Sequence, residues 1–541
     1  MKRCVLGVIV MVLASGCATM SDLSGLSGGD DPPPPPPPVV PPGQPDDPVL
    51  QPPPPALAST VDGNPTLVRG AETKVRVTVT SGQAPFTVHF AGLPAGVHAA
   101  DTVLDAPGSV DVTLSAEEEA TEGTGDLVAA VDDAAHQHID AHGVLLVRGP
   151  AGALDRTFGT RGLVLTSFGE SGAGALSLAL LPNGKILAAG SGNTDYQLAR
   201  YTDRGLLDTS FDGDGKATMS WPTTNPGWTY AKSVVVENDG HFIVAGIVDL
   251  SRLGLARYDA TGALDVSYGN NGRVLSPASG AGDGLTAAML DAEGRVLVAG
   301  YTQSPGSYDA MVGRYTPSGA ADSTFASGGR AVSALSDAGD FANAVAVQSD
   351  GKVLVASQSA SADALSYDAV VQRFTAVGAK DFTFGSPNGF VRFDVTASSL
   401  PAALAVDDRS IYVTGGGTGD TWVARLTIAS GSIVWKKTLP RAYADGPGET
   451  VLDMKLDAEG RIVLSGWADN GSNTDFMVRR LTADGELDAS FGKNGTVATD
   501  VSGLNDYAAA VRIQPDGRIV VAGKSDSAGG LVDFSLARYW P

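Results

Sequence analysis

The chain has 541 residues and a formal net charge of −23 at pH 7, with a sequence pI near 4.5. That charge repels nucleic acid and anionic lipid surfaces, so neither is an expected partner of the folded part. Glycine is abundant at 68 residues, charged residues make up 18%, and short apolar runs bounded by Gly, Asp, Asn and Ser prevail, which is an all-β composition.

At the N-terminus, Lys2 and Arg3 precede the apolar stretch Val5–Leu13, too short to span a bilayer as a stable helix. It runs into "LASGC" (13–17), which resembles the lipobox of bacterial lipoproteins. The resemblance implies cleavage before Cys17 and acylation of its thiol and its new amino group. Ala18 stands where an Asp would resemble an inner-membrane retention signal, so the outer membrane is the expected location. Two or more acyl chains give stable anchoring, where one is marginal. Residues 1–17 are thus read as signal peptide and lipobox. The second cysteine is Cys4, so the rest of the chain forms no internal disulfide.

Residues 18–56 read as a disordered stalk. Positions 32–55 hold 15 prolines in 24 residues, with Pro32–Pro38 uninterrupted. Polyproline II at about 3.1 Å per residue gives such a run a reach of roughly 75 Å. "GLSGG" (25–29) lies in this tail, without the strand and helix that a nucleophile elbow requires.

Residues 57–149 read as a small β-sandwich. "KVRVTVT" (74–80) and "SVDVTLS" (109–115) alternate apolar and polar residues, as half-buried strands do. "FAGLPAGV" (90–97), "VTLSAEEEATEG" (112–123) and "GVLLV" (143–147) together resemble immunoglobulin-like modules of bacterial secreted proteins. "HQHIDAH" sets His136, His138, Asp140 and His142 at alternate positions, a candidate Zn²⁺ or Cu²⁺ set; an ordinary polar strand face explains it as readily.

From 150 to 541 the chain repeats itself. "LD-x-[ST]-[FY]" or its variants place aspartates at Asp155, Asp208, Asp265, Asp322, Asp381 and Asp488. Apolar strands end in arginine seven times, at Arg200, Arg257, Arg314, Arg373, Arg425, Arg480 and Arg538. Turn dipeptides precede buried strands, with Gly second at Gly184, Gly240, Gly294, Gly351, Gly460 and Gly517 and Arg409 in the fifth copy. Four strands per unit and seven units predict a seven-bladed β-propeller. The pattern resembles the delta-60 repeat family, "LD-x-SFG-x-x-G … DGK-ILVAG … LARY", across 150–541; the resemblance implies a propeller and carries no chemistry to transfer. The seventh unit stops at "LARYWP" while "RGLVLTSF" (161–168) is an extra strand at the start. That strand is expected on the outer edge of the last blade, closing the ring and removing an open edge. Loss of 57–148 is expected to be tolerated, loss of 150–168 not.

In five copies Asp follows Arg by eight residues, as in Arg200 and Asp208, and ring closure would bring Arg538 to Asp155; Arg425 has Ile433 in that slot. A contact repeated in nearly every blade reads as structural. "SWPTTNPGWTY" (220–230) offers Trp221, Trp228 and Tyr230 for glycan stacking or for packing, and "FDGDG" (211–215) occupies an ordinary turn slot although it resembles a Ca²⁺ loop. No nucleophile–base set, phosphate loop or cofactor motif is present, so no catalytic residue, metal or cofactor is assigned. The expected function is a monomeric, non-enzymatic cell-envelope lipoprotein presenting a propeller as a binding or scaffold module. Its partners would be the membrane, through Cys17, and a glycan or protein on the propeller face. The alternative is a propeller enzyme acting on polysaccharide, which would require carboxylates about 5–10 Å apart at the channel.

Overall fold

Val75, Val77 and Val79 are buried and Arg76 and Thr80 exposed along the strand Glu72–Ser81, the two-residue period of a strand with one wet face. In this computed structural model, which describes residues 53–192, 194–222, 229–249, 251–276, 282–361, 365–417 and 419–541, that strand belongs to the first of two sheets. Its order is Ala58–Val61, Glu72–Ser81, Gly108–Ala116, Val97–Ala99. The second runs Thr66–Val68, His138–Arg148, Gly123–Asp132, Phe86–Ala91, Thr102–Leu104, the first pair parallel. Leu67, Val75, Leu114, Leu127 and Leu145 from both sheets share one core. The stretch read as a lipobox, with Cys17, most of the Pro-rich stretch, and Trp228 lie outside the described residues.

The remainder folds into seven four-stranded antiparallel sheets, propeller-like in their arrangement. In the first, Gly174–Leu180 is innermost, followed outward by Ile186–Ser191, Asp195–Tyr201 and Lys216–Ser220. Every residue of Ile186–Ser191 is buried, because a neighbouring sheet covers each face. Leu187 and Leu198 of the first sheet pack with Phe242 and Val244 of the second. This two-sided burial is why the middle strands read as unbroken apolar runs. The innermost strands neighbour one another in chain order, and the seventh meets the first.

The last sheet takes its outer strand from the other end of the repeat region. Leu163–Thr166 pairs antiparallel with Leu531–Tyr539, Leu163 opposite Ala537 and Thr166 opposite Phe534. The turn beside it is also shared between the chain ends. Gly152 N donates to Trp540 O at 2.9 Å and Trp540 N to Ala153 O at 2.9 Å. The first sheet makes the same pair of bonds within one continuous loop, Gly205 N to Thr202 O and Thr202 N to Leu206 O. Glu122 of the sandwich reaches this seam. It accepts from Arg156 N at 2.9 Å and Trp540 Nε1 at 3.1 Å and pairs with Arg69 at 2.7 Å.

The fifth sheet departs where its sequence does. Six copies close the inner hairpin with a bond from residue i to i+4, such as Leu181 N to Lys185 O, and place their glycine at positive φ (Gly184, +80°). In the fifth, Asp407 N reaches Ser410 O, one residue sooner, so Arg409 needs no left-handed conformation. Trp435 on its outer strand packs against Gly485 of the next turn, as Phe158 packs against Gly205.

Candidate functional site

Two constellations recur around the ring, one outside and one at the centre. The outer one is built on the strand-ending arginines. Arg200 Nε donates to Asp208 Oδ2 at 2.6 Å, Arg314 to Asp322 at 2.7 Å, Arg373 to Asp381 at 2.8 Å, Arg480 to Asp488 at 2.8 Å and Arg538 to Asp155 at 2.7 Å. The Ser or Thr two residues beyond each Asp completes a triangle. Thr324 Oγ1 donates to Asp322 at 2.6 Å and lies 3.1 Å from Arg314 Nη2. In four of the five the remaining guanidinium nitrogen crosses to the next sheet, Arg314 to Ala376 O at 2.6 Å and Arg373 to Ile428 O at 2.5 Å; Arg200 reaches Ala260 O and Arg538 reaches Asp203 O. Each guanidinium also lies over the aromatic ring of its "[FY]" residue, as Arg538 over Phe158 at 4.5 Å.

Burial raises the carboxyls of Asp208, Asp381 and Asp488, but hydroxyl and cation hydrogen bonds outweigh it and hold all three below the ordinary range. Two copies vary. Arg257 bonds Glu237 through Nε at 2.8 Å as well as meeting Asp265. Arg425 bonds Ser410 Oγ at 2.9 Å, with Asp484 at 3.9 Å its nearest carboxylate.

The central constellation begins with a β-bulge. In every innermost strand one residue is skipped in the pairing with its neighbour: Leu176, Lys232, Thr286, Asn343, Ala402, Leu452 and Ala509. A bulge re-aims side chains, and here these residues and their neighbours line a central cavity of about 310 Å³. Polar groups stitch adjacent strands around it: Ser233 Oγ to Ala288 O at 3.0 Å, Thr286 Oγ1 to Ala342 O at 2.6 Å, Asn343 Nδ2 to Pro401 O at 2.8 Å and Val511 N to Asp453 Oδ2 at 3.0 Å.

The charged lining is Lys232, Lys455 and Arg512 against Asp453. Asp453 takes Lys455 at 2.7 Å and Arg512 at 2.8 Å. Burial would raise its carboxyl, but the two cations hold it below the usual range. Lys455 is pushed down by burial against the pull of Asp453. Lys232 is pushed down by burial alone, with its ammonium 5.3 Å from the Tyr230 ring. The innermost-strand sequences do not announce this lining, because each cation occurs in one copy only.

The other candidates separate. His138, Asp140 and His142 share the exposed face of His138–Arg148, but His136 lies before that strand at φ +58°. Asp132, from the adjacent strand, lies 2.8 Å from His138 Nδ1, and Asp140 sits 3.2 Å from Nε2; the two carboxylates, Asp132 first, raise the pKa of His138. Among the described residues, carboxylates and histidines converge instead at Glu237, Asp239 and His241 and at Asp475, Asp500 and Asp506. Trp221 is buried, edge-on to Tyr196 at 5.4 Å, so it packs in the core between the first two sheets and offers no stacking face. In "FDGDG", Asp212 N bonds Thr261 O of the next sheet and Asp214 accepts from Lys216 N, the bonds of a turn.

A family model described as a β-propeller domain of unknown function, DUF5122, matches residues 181–211, 292–325, 348–384, 458–491 and 514–541. These segments fall in the first, third, fourth, sixth and seventh sheets, each beginning at or near the inner turn, and they support a β-propeller family. No curated protein matches the chain. Among solved structures, a virginiamycin B lyase from Staphylococcus aureus is 12% identical, covering 69% of this chain and 98% of its own at a TM-score of 0.41. A Dos1 propeller is 11% identical, covering 69% and 95% at a TM-score of 0.41. The extracellular domain of a two-component system from B. thetaiotaomicron is 12% identical, covering 87% and 58% at a TM-score of 0.35. These likenesses are too remote to say anything of activity.

Proposed function

We propose that the protein is a non-enzymatic cell-envelope lipoprotein that presents a β-propeller as a binding or scaffold module. In this reading residues 1–17 are a signal peptide and lipobox, 18–56 a stalk, 57–149 an immunoglobulin-like sandwich and 150–541 a seven-bladed propeller acting as a monomer. Acyl chains on Cys17 anchor it, in the outer membrane, and a ligand is met at the propeller's face or channel. Seven sheets whose innermost strands follow one another round to the first support the blade count.

One observation carries the non-enzymatic reading. Among the described residues that line the central cavity, Asp453 is the single carboxylate, and it is neutralised by Lys455 and Arg512. Glycoside hydrolysis by the common route needs two carboxyls flanking the bond, one free to donate a proton and one to attack or activate water. Among the described lining residues Asp453 has no second carboxyl beside it, and its own is engaged by two cations.

Two measurements test this. Cys17→Ser should move the protein out of the membrane fraction, and recovery there equal to that of the unaltered chain would overturn the anchoring. The full chain should show no turnover across a polysaccharide panel. Hydrolysis that is lost in Asp453→Asn would overturn the non-enzymatic reading.

A further inference from the structure

We propose that the central channel is a binding site for a small oxyanion, a phosphate- or carboxylate-bearing solute. The inference rests on the binding-module reading for its biological use, while the site itself rests on charge and geometry.

The cavity lining carries three cations, Lys232, Lys455 and Arg512, and one carboxylate, Asp453. It therefore has a formal excess of two positive charges inside a chain whose net charge is −23. A cationic, low-dielectric channel within an acidic shell focuses the field on its axis and raises the local concentration of anions there. Asp453 satisfies Lys455 and Arg512. Lys232 has no carboxylate within 4.0 Å among the described residues, and its ammonium lies 5.3 Å from the centre of the Tyr230 ring. An ammonium placed in a half-buried position and left without a counter-charge is costly, and burial already weakens its hold on the proton. An oxyanion on the channel axis would supply the missing charge.

Thr286 stands on the bulge next to that of Lys232 and Asn343 on the one beyond, and both line the cavity; their donor hydrogens are engaged by Ala342 O and by Gln358 Oε1 and Pro401 O, which leaves the charged groups to hold the ligand. The lining thus offers the Lys232 ammonium together with the Arg512 guanidinium, the side chain best matched to carboxylate and phosphate oxygens. A cavity of about 310 Å³ lies at the small end of ligand sites, which suits a single phosphate, a short dicarboxylate or one acidic sugar and excludes a polymer.

The test is calorimetric titration of the full chain with inorganic phosphate and, separately, with malonate, at constant ionic strength set with chloride. Saturable one-to-one binding of either is expected, phosphate alone or malonate alone identifying the source of the oxyanion. Lys232→Met should weaken it at least tenfold, about 1.4 kcal/mol. Lys524→Met, which removes a lysine over Tyr507 away from the cavity, should leave it unchanged. Arg512→Gln, which leaves Asp453 paired with Lys455, provides a second variant should Lys232→Met fail to fold. Absence of saturable binding of both probes, or affinity retained in both channel variants, would overturn the proposal. Polysaccharide turnover with phosphate or malonate binding intact would remove the non-enzymatic reading and leave the site standing.

Discussion

Asp155 and Arg538 lie 383 residues apart and are joined by a 2.7 Å bond from Arg538 Nε to Asp155 Oδ2. Arg200 and Asp208, eight residues apart, make the same bond inside one sheet. The fold therefore completes across the chain ends, at this point, a station that elsewhere is local. Arg538 extends it further by reaching Asp203 O of the first sheet, so one guanidinium ties the turn before the last outer strand, the last sheet and the first sheet together.

Removing Asp155 strands a guanidinium that is 2% exposed. A buried pair broken from one side costs about 3–5 kcal/mol, and Asp155→Ala should fall in that range in urea unfolding of the full chain. Arg425→Ala removes a half-exposed group whose nearest carboxylate is 3.9 Å away, and its loss should stay under about 1 kcal/mol. Equal losses would mean that the recurring stations contribute nothing special.

Acid should attack the same stations. Asp208, Asp381 and Asp488 have folded pKa values below the unfolded one, which is about 3.9. Their stabilisation is thus present in full above about pH 4 and lost as pH falls through the depressed folded values. Asp506 has the opposite sign, since burial raises its carboxyl and protonation relieves that cost. Asp265, Asp322 and Asp453 are depressed as well, so the depressed groups outweigh the raised one, and melting temperature should hold from pH 7 to about 5 and drop below about 4. A melting temperature that rises below pH 4 would contradict the assignment, and Asp208→Asn should flatten part of the acid limb.

The repeat register made the all-β propeller class legible, because each landmark is written several times and errors in one copy are corrected by the others. The channel was not legible for the same reason inverted. Lys232, Lys455 and Arg512 each occur once, and their convergence depends on bulges that shift which strand residues face the axis. Alternation in "HQHIDAH" does describe an exposed face, but strand neighbours decide what it does, and Asp132 engages His138 from another strand. Trp221 was ambiguous in a Pro- and Gly-rich stretch; the neighbouring Tyr196 decides for the core.

Glu122 had no signature in sequence beyond its place in an acidic stretch, yet it is buried at the seam against Arg69, Arg156 N and Trp540 Nε1. The sandwich is therefore not a passive appendage, and its removal carries a cost that composition alone did not suggest. Glu122→Ala should lower stability by about 1–3 kcal/mol by leaving buried donors unmet. Glu119→Ala breaks only an exposed pair with Arg156, which solvent screens, and should cost clearly less than Glu122→Ala. Thermal unfolding of the two variants side by side distinguishes a seam contact from general acidity.

Ring closure is tested most directly by cross-linking the strand pair that performs it. Leu165 stands opposite Ser535, and the native cysteines are confined to Cys4 and Cys17. A full chain carrying Cys4→Ser, Cys17→Ser, Leu165→Cys and Ser535→Cys should form an intramolecular disulfide under mild oxidation, since directly opposed antiparallel residues meet its distance requirement. The oxidised monomer should migrate faster than the reduced form on denaturing gels and unfold at a higher temperature. Absence of the bond, or its appearance only between molecules, would mean that residues 163–166 do not edge the last sheet and that the ring is closed some other way.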